Sequence, residues 1–193
     1  MEQEVDNRAR LLASAGKGFR AKGYAALGVD GIAKEVGLTS GSFYSHYKSK
    51  LAIFLASLRS GLRDLAGGID YARRDGNPAW RQELVDFYLT VRRNCPPEEA
   101  CALQSMTNDV ARLGPEARAV FDEELQEILA RMTRGTDARH MTHERQRALA
   151  LLALLSGAVS LARACGDQNL SDEIIAGARA LAKAATDSDS WRG

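Results

Sequence analysis

The chain has 193 residues, 45% of them hydrophobic and 26% charged, enough to bury a core in one ordinary domain or in a small domain joined to a larger one, and too balanced for a disordered tract or a disulfide-stapled mini-protein. Ala, Leu, Arg and Glu dominate, with four prolines and 6% aromatics, which favours helix over sheet because these side chains lose little rotamer freedom in a helix. A net charge of +1 hides an asymmetry, with nine Lys/Arg against five Asp/Glu in residues 1–60 and seventeen against twenty in the remainder, the distribution of a chain that meets phosphate at one end.

In chain order, Leu11, Leu12, Ala15 and Phe19 recur at helical spacing, and the pattern predicts a first helix over 5–21, stopped by Gly23. A short second helix spans 29–36, with Asp30 in its first turn, where a carboxylate suits the helix dipole. Gly37 and Leu38 break it, Thr39 offers a capping hydroxyl, and a third helix continues to about Tyr47. Ser49 caps a long fourth helix from Lys50 into the sixties. Coarser helices are predicted over 79–93, 97–112, 115–134, 142–164 and 171–185, with Pro78, Pro97 and Pro115 near starts and Gly76, Gly114, Gly135 and Gly166 at joins. No segment sustains period-2 alternation. The expected fold is all-α, about nine helices: an N-terminal three-helix domain over 1–48 and a larger helical domain over 49–193.

The stretch Ile32-Ala33-Lys34-Glu35-Val36-Gly37-Leu38-Thr39 has the mechanics of a helix-turn-helix. Ala33 is small enough for two helices to cross closely, Gly37 permits a left-handed turn, and Leu38 drops into the core after it. The residues that follow, Thr39 to Lys50, are Thr-Ser-Gly-Ser-Phe-Tyr-Ser-His-Tyr-Lys-Ser-Lys. With Phe19, Gly23-Tyr24, Val29, Ile32-Ala33 and Gly37 in register, this set resembles the DNA-reading head of the TetR family over roughly the first 55 residues.

The resemblance implies a transcriptional regulator, a repressor in the usual case, that binds a palindromic double-stranded DNA operator as a homodimer and is released by a small-molecule inducer. It makes Thr39 a cap meeting phosphate, Gly41 a gap through which the helix presses on DNA, and Ser40, Ser42 and Ser45 groove-facing. Tyr44, His46 and Lys50 become phosphate contacts, with Lys48 beside them. Phe43 and Tyr47, four apart on the opposite stripe, belong to the core. Two departures stand out: Leu27 and Gly28 replace the Thr or Ser of many relatives, and Ser40 replaces a Lys or Arg. No Arg, Asn or Gln projects from the third helix to make a bidentate base contact.

Residues 147–164 are apolar nearly all round, so that helix needs cover on more than one side. The final helix offers one cover and a second subunit the other. The expected dimer interface is Leu151, Leu154, Leu155, Gly157, Ala158 and Leu161 with Ile174, Ile175, Ala178 and Leu181. Candidates for an inducer pocket among the middle helices are Trp80, Phe87, Tyr88, Leu103, Met106 and Phe121.

Three cysteines, Cys95, Cys101 and Cys165, make an odd number with no apolar leader ahead of them, which suits a reduced cytoplasmic setting. Cys95 and Cys101 also raise a redox switch as a weaker reading. The longest apolar run, 148–162, is interrupted by Ser156, Gly157 and Ser160 and falls short of the roughly 18 residues of a membrane span, so no membrane partner is expected. Neither a nucleophile elbow nor a phosphate-binding Walker loop is present, and His140, His143 and Glu144 lack the i, i+4 histidine pair that shares zinc on one helix face. No enzymatic activity, metal or cofactor is expected. The competing reading is a helical ligand-binding or interaction protein whose DNA specificity is weak or lost, motivated by Leu27, Gly28 and Ser40.

Overall fold

The computed structural model describes residues 2–186. Among them there are ten α-helices and no strand: α1 (Glu2–Ala26), α2 (Val29–Glu35), α3 (Ser40–His46), α4 (Lys50–Ala72), α5 (Trp80–Phe87), α6 (Ala102–Ser105), α7 (Thr107–Arg112), α8 (Pro115–Met132), α9 (Met141–Ala164) and α10 (Gln168–Thr186). The fold is all-α, as composition and periodicity required. Among the described residues two compact units form, one of residues 2–63 with 96–124 and one of 64–95 with 125–186, the divisions falling inside α4 and α8.

In the first unit Leu11, Ala15 and Phe19 of α1 are fully buried with Ile32, Phe43, Ile53, Phe54, Leu58 and Leu62. Phe19 and Phe54 meet edge to face at 5.1 Å, and Tyr24 closes the cluster at 5.2 Å from Phe54. Gly23 interrupts α1 with φ 76°, a conformation glycine adopts without the steric cost of a Cβ. The break turns the Tyr24 N–H outward to donate to Asp109 Oδ2 at 2.8 Å. Leu27 is buried, and a Cβ on Gly18 would come within 2.6 Å of it. The chain therefore spends the Leu27 position on packing against α1.

Sequence periodicity predicts one helix over 97–112, but the segment is broken into a 3₁₀ turn (Pro97–Glu99), α6 and α7. Four consecutive residues, Ala100 to Leu103, are all buried, which a helix with one core-facing stripe cannot achieve. Ala100 and Cys101 instead run extended, and Ala102 rests against Gly61, where a Cβ would approach to 2.5 Å. The helix expected over 79–93 also changes character: after α5 the chain widens into a π turn, Tyr88–Arg92.

In the second unit α9 packs along α10 and against the π turn, and α10 also meets α5. α9 is long and apolar enough to cross a membrane by length and composition. Its Leu151, Leu152, Leu155, Ala158, Val159 and Ala162 are nevertheless buried within the chain, as in the core helix of a bundle. The loop between them is pinned by Ser171 Oγ, which donates to Ala162 O at 2.8 Å and accepts from Arg93 Nη2 at 2.8 Å.

The ten residues expected at a dimer interface fall on two different faces. Leu151, Leu155, Ala158, Ile175 and Ala178 are buried inside the chain. Leu161 and Leu181 are 61% and 59% exposed, Gly157 is exposed, and Leu154 and Ile174 are half-buried. A stripe at helical spacing, Ala150, Ala153, Leu154, Gly157 and Leu161, therefore stays open on α9. Leu170, Ile174, Gly177 and Leu181 continue it on α10.

Candidate DNA interface

The turn that joins α2 to α3 is built by its hydrogen bonds. Gly37 takes φ 71°, its N–H donates to Lys34 O at 3.0 Å, and the Leu38 N–H reaches back to Ala33 O at 2.9 Å. This is a Schellman closure, which satisfies the last carbonyls of α2 and requires a left-handed residue after the helix end. Thr39 then starts α3, its Oγ1 accepting from the Ser42 N–H at 3.1 Å, so one of the unpaired donors of the first turn is satisfied.

Two arginines of α1 complete the support, with no local sequence signal beyond the basic count. Arg10 Nη2 donates to Val36 O at 2.7 Å, at the end of α2, and Arg8 Nη1 to His46 O at 3.1 Å, at the end of α3. Cations on the terminal carbonyls complement the negative ends of both helices. Arg8 also lies over the Tyr47 ring at 4.8 Å, and the Tyr47 hydroxyl donates to Arg8 O at 3.4 Å. Burial pushes the Tyr47 phenol above its ordinary value, against the opposing pull of Arg8.

With Phe43 and Tyr47 buried, α3 shows its other side. Gly41, Tyr44 and Ser45 are exposed on one face, with Thr39 before them and Lys48 just beyond. Tyr44 is 55% exposed, its ring edge-on to Phe43 at 5.3 Å, which steadies the phenol while its oxygen stays outside. A Cβ on Gly41 would meet nothing nearer than Thr39 Oγ1 at 3.7 Å, so intramolecular packing does not demand glycine there.

The remaining expected contacts are less open. Ser40 is half-buried and its hydroxyl donates to Asp30 Oδ1. Ser42 and His46 are half-buried. The Ser45 hydroxyl donates to Ser42 O at 2.7 Å. Lys50, expected at phosphate, holds its ammonium 4.3 Å over the Tyr24 ring, a cation–π contact. At the start of α2, Gly28 is an N-cap with no side-chain bond and open space around it. No cluster of three or more His, Cys, Asp or Glu able to hold a metal occurs among the described residues.

The six residues expected to line a pocket are divided equally between the two units. Leu103, Met106 and Phe121 lie in the first unit, while Trp80, Phe87 and Tyr88 lie in the second. Met106 and Tyr88 are wholly or almost wholly buried, and Phe87 is 44% exposed. Trp80 borders a cleft of about 350 Å³ in the second unit, lined by Arg73, Arg81, Arg134, Asp137, His140 and Glu144 among others. Its polar walls had no signal in hydrophobic periodicity.

A capped, exposed third helix held across a second by a glycine turn is the head of a helix-turn-helix protein. Comparison with known proteins places it more closely. Residues 11–57 match the bacterial regulatory proteins of the TetR family, so the family match rests on this helix-turn-helix head. It is 36% identical over 69 residues to the HTH-type transcriptional activator FasR of Mycolicibacterium smegmatis, a match covering 36% of this chain and 32% of that protein. The chain thus aligns with about a third of that relative's length. Its fold is similar to a TetR transcriptional regulator from Legionella pneumophila, with a TM-score of 0.73 at 20% identity, covering 90% of this chain and 94% of the other. It is also similar to a TetR-family regulator from Streptomyces coelicolor, with a TM-score of 0.71 at 22% identity over 95% and 97%. At those identities the structures speak for the fold.

Proposed function

We propose that the chain is a cytoplasmic repressor that holds a near-palindromic operator as a homodimer and leaves it when a small molecule binds residues 49–193, with residues 1–48 as the DNA-reading head. The observation that carries this reading is the face of α3 formed by Gly41, Tyr44 and Ser45, exposed while Phe43 and Tyr47 anchor the helix from behind. A glycine where the protein has room for a side chain fits close approach of the backbone to a groove. Thr39, Tyr44, Lys48 and Lys50 supply hydroxyls and cations for phosphate, and Ser40, Ser42, Ser45 and His46 complete the surface. The open apolar stripe on α9 and α10 supports a two-fold partner of the same chain, which places two recognition helices about one DNA turn, or a multiple of it, apart. Repression is the simplest output of a protein that occupies promoter DNA until a ligand draws it away, and a ligand favouring the unfit head spacing by about 1–3 kcal/mol gives about 5- to 150-fold release.

The test is a gel shift with DNA upstream of the protein's own gene across a salt series. About four phosphates per head, eight per dimer, give a slope of log K against log salt near about −7. A slope near zero would leave the second reading, a helical ligand-binding protein without DNA specificity. Two observations favour that alternative: Ser40 is engaged with Asp30, and α2 begins without a hydroxyl cap.

A further inference from the structure

The cleft beside Trp80 lies wholly in the second unit and is crowded with guanidinium groups. Arg73 and Arg81 lie over the indole of Trp80 at 4.7 and 4.6 Å. Arg81 pairs with Glu144 at 2.5 Å, and Glu144 is shared with Arg147 at 2.9 Å. Arg134 pairs with Asp70 at 3.3 Å, and Asp70 is shared with Arg131 at 3.4 Å. Asp137 is held by Arg139 at 3.1 Å, and Glu127 by Arg131 at 3.9 Å. Three arginines, Arg73, Arg81 and Arg134, and two carboxylates, Asp137 and Glu144, line the cleft itself.

Arg73 stands apart within this set. Its guanidinium donates to two main-chain carbonyls, Met132 O at 3.2 Å and Arg134 O at 2.7 Å, and so holds the end of α8 without a bonded carboxylate. Burial, then the nearby charge of Arg134, pushes it below the ordinary guanidinium value while Asp70 opposes. Burial likewise lowers Arg81, with Arg147 and Arg73 adding repulsion against the pull of Glu144. The cleft is also bordered by His140, the N-cap of α9, whose first turn carries no side-chain cap. The positive end of a 24-residue helix therefore adds to the same field.

We infer that this cleft binds a small polar molecule through an oxyanion, a carboxylate or a phosphate, seated between Arg73, Arg81 and Arg134 at the start of α9. A volume of about 350 Å³ is at the small end of ligand sites, and the lining offers little apolar surface beyond Trp80 and Met132, so the body of the molecule is compact and polar. Guanidiniums bind carboxylate and phosphate oxyanions bidentately, and an anion here relieves repulsion among the three lining arginines that the two lining carboxylates leave. Naming this molecule as the effector rests on the sensing reading above; the binding itself does not.

The experiment uses the full chain with Trp191→Phe, which leaves Trp80 as the one tryptophan. Inorganic phosphate and succinate are titrated in turn, with chloride at matched ionic strength as the control, and Trp80 fluorescence is followed. The expected result is a saturating change with one of the two anions, which tells phosphate from carboxylate, and a Kd raised about tenfold or more, a factor worth about 1.4 kcal/mol, by Arg73→Gln and by Arg134→Gln. Arg134 is exposed and does not hold the end of α8, so its variant stays informative if Arg73→Gln unfolds. No saturating response to either anion beyond chloride, or an unchanged Kd in Arg134→Gln, overturns the site whatever DNA does. DNA retention is measured in parallel: a saturated cleft with unaltered retention keeps the site and overturns its assignment to the effector.

Discussion

Leu161→Glu separates the two faces of α9. Leu161 is 61% exposed in the single chain, and full burial of a leucine side chain is worth about 1.5–3 kcal/mol. Covering the remainder against a partner therefore contributes about 0.9–1.8 kcal/mol per copy, and a two-fold interface holds two copies, giving about 2–4 kcal/mol in all. At about 1.4 kcal/mol per decade the dimer Kd should rise about 20- to 500-fold, and the unpaired carboxylate adds to that figure. Sedimentation velocity from nanomolar to tens of micromolar reads the change, and far-UV circular dichroism should stay helical because the residue is exposed before association. Leu155→Ala gives the contrast: at 1% exposure its loss should cost about 2–5 kcal/mol of chain stability with a much smaller effect on association per folded chain. An unchanged dimer Kd in Leu161→Glu would refute the stripe as the interface.

Four further outcomes follow from the head and the ion pairs. Tyr44→Phe should weaken binding to operator and random DNA by the same factor; selective loss on the operator would mean that the hydroxyl reads bases. Gly28→Ser places a hydroxyl where a Cβ meets nothing within 4 Å, so it should add a few tenths of a kcal/mol as a cap and tighten DNA binding at unchanged salt slope, whereas weaker binding would put α2's start away from phosphate. Asp30→Asn removes a carboxylate beside the start of α3 and should raise affinity severalfold at low salt, fading as screening increases; equal affinity at every salt would contradict it. Hydrogen bonds from Arg59 hold Glu123 below its ordinary 4.5 and those from Arg93 hold Asp172 below its ordinary 3.8. Such groups stabilise fully above the unfolded value and lose that contribution as pH falls through the folded one, so Tm should begin to fall from this source only below about pH 4.5, and Arg59→Gln should flatten that fall.

The head was legible because its determinants are local. Apolar spacing in α1 and α2, a left-handed position at Gly37 and a capping Thr39 each constrain the backbone within a few residues, and the structure realises them with the bonds that those residue types allow. What escaped depends on distant partners. Arg8 and Arg10 meet the ends of α3 and α2 at separations of 38 and 26 residues. Leu27 read as a missing phosphate anchor because its partner, Gly18, lies nine positions earlier with nothing to mark a close contact. The break at Ala100 and Cys101 is hidden for a similar reason, since four buried residues in a row are compatible with a helix until the space around it is known. In α9 apolarity all round showed that two covers are needed, but only the burial of Leu151, Leu155 and Ala158 within the chain tells which face remains for a partner. The arginine cleft has no period at all, being assembled from the ends of α4 and α8 and the starts of α5 and α9.

The geometry of α3 also changes what its serines can say to DNA. Ser45 donates its proton to Ser42 O and Ser40 donates to Asp30, which leaves each hydroxyl with acceptor lone pairs. In the major groove such acceptors match the amino groups of adenine and cytosine, whereas guanine presents only acceptors at N7 and O6. The usual bidentate partner for guanine, an arginine, is absent from Ser40–His46. In the proposed complex Ser40 and Ser45 therefore offer the groove acceptors, Ser42 keeps a hydroxyl proton to donate, and discrimination worth more than such single contacts must come from the stiffness and groove width of the operator. Exposed Gly41 suits this mode, because close backbone approach makes affinity sensitive to groove shape at base pairs that no side chain touches.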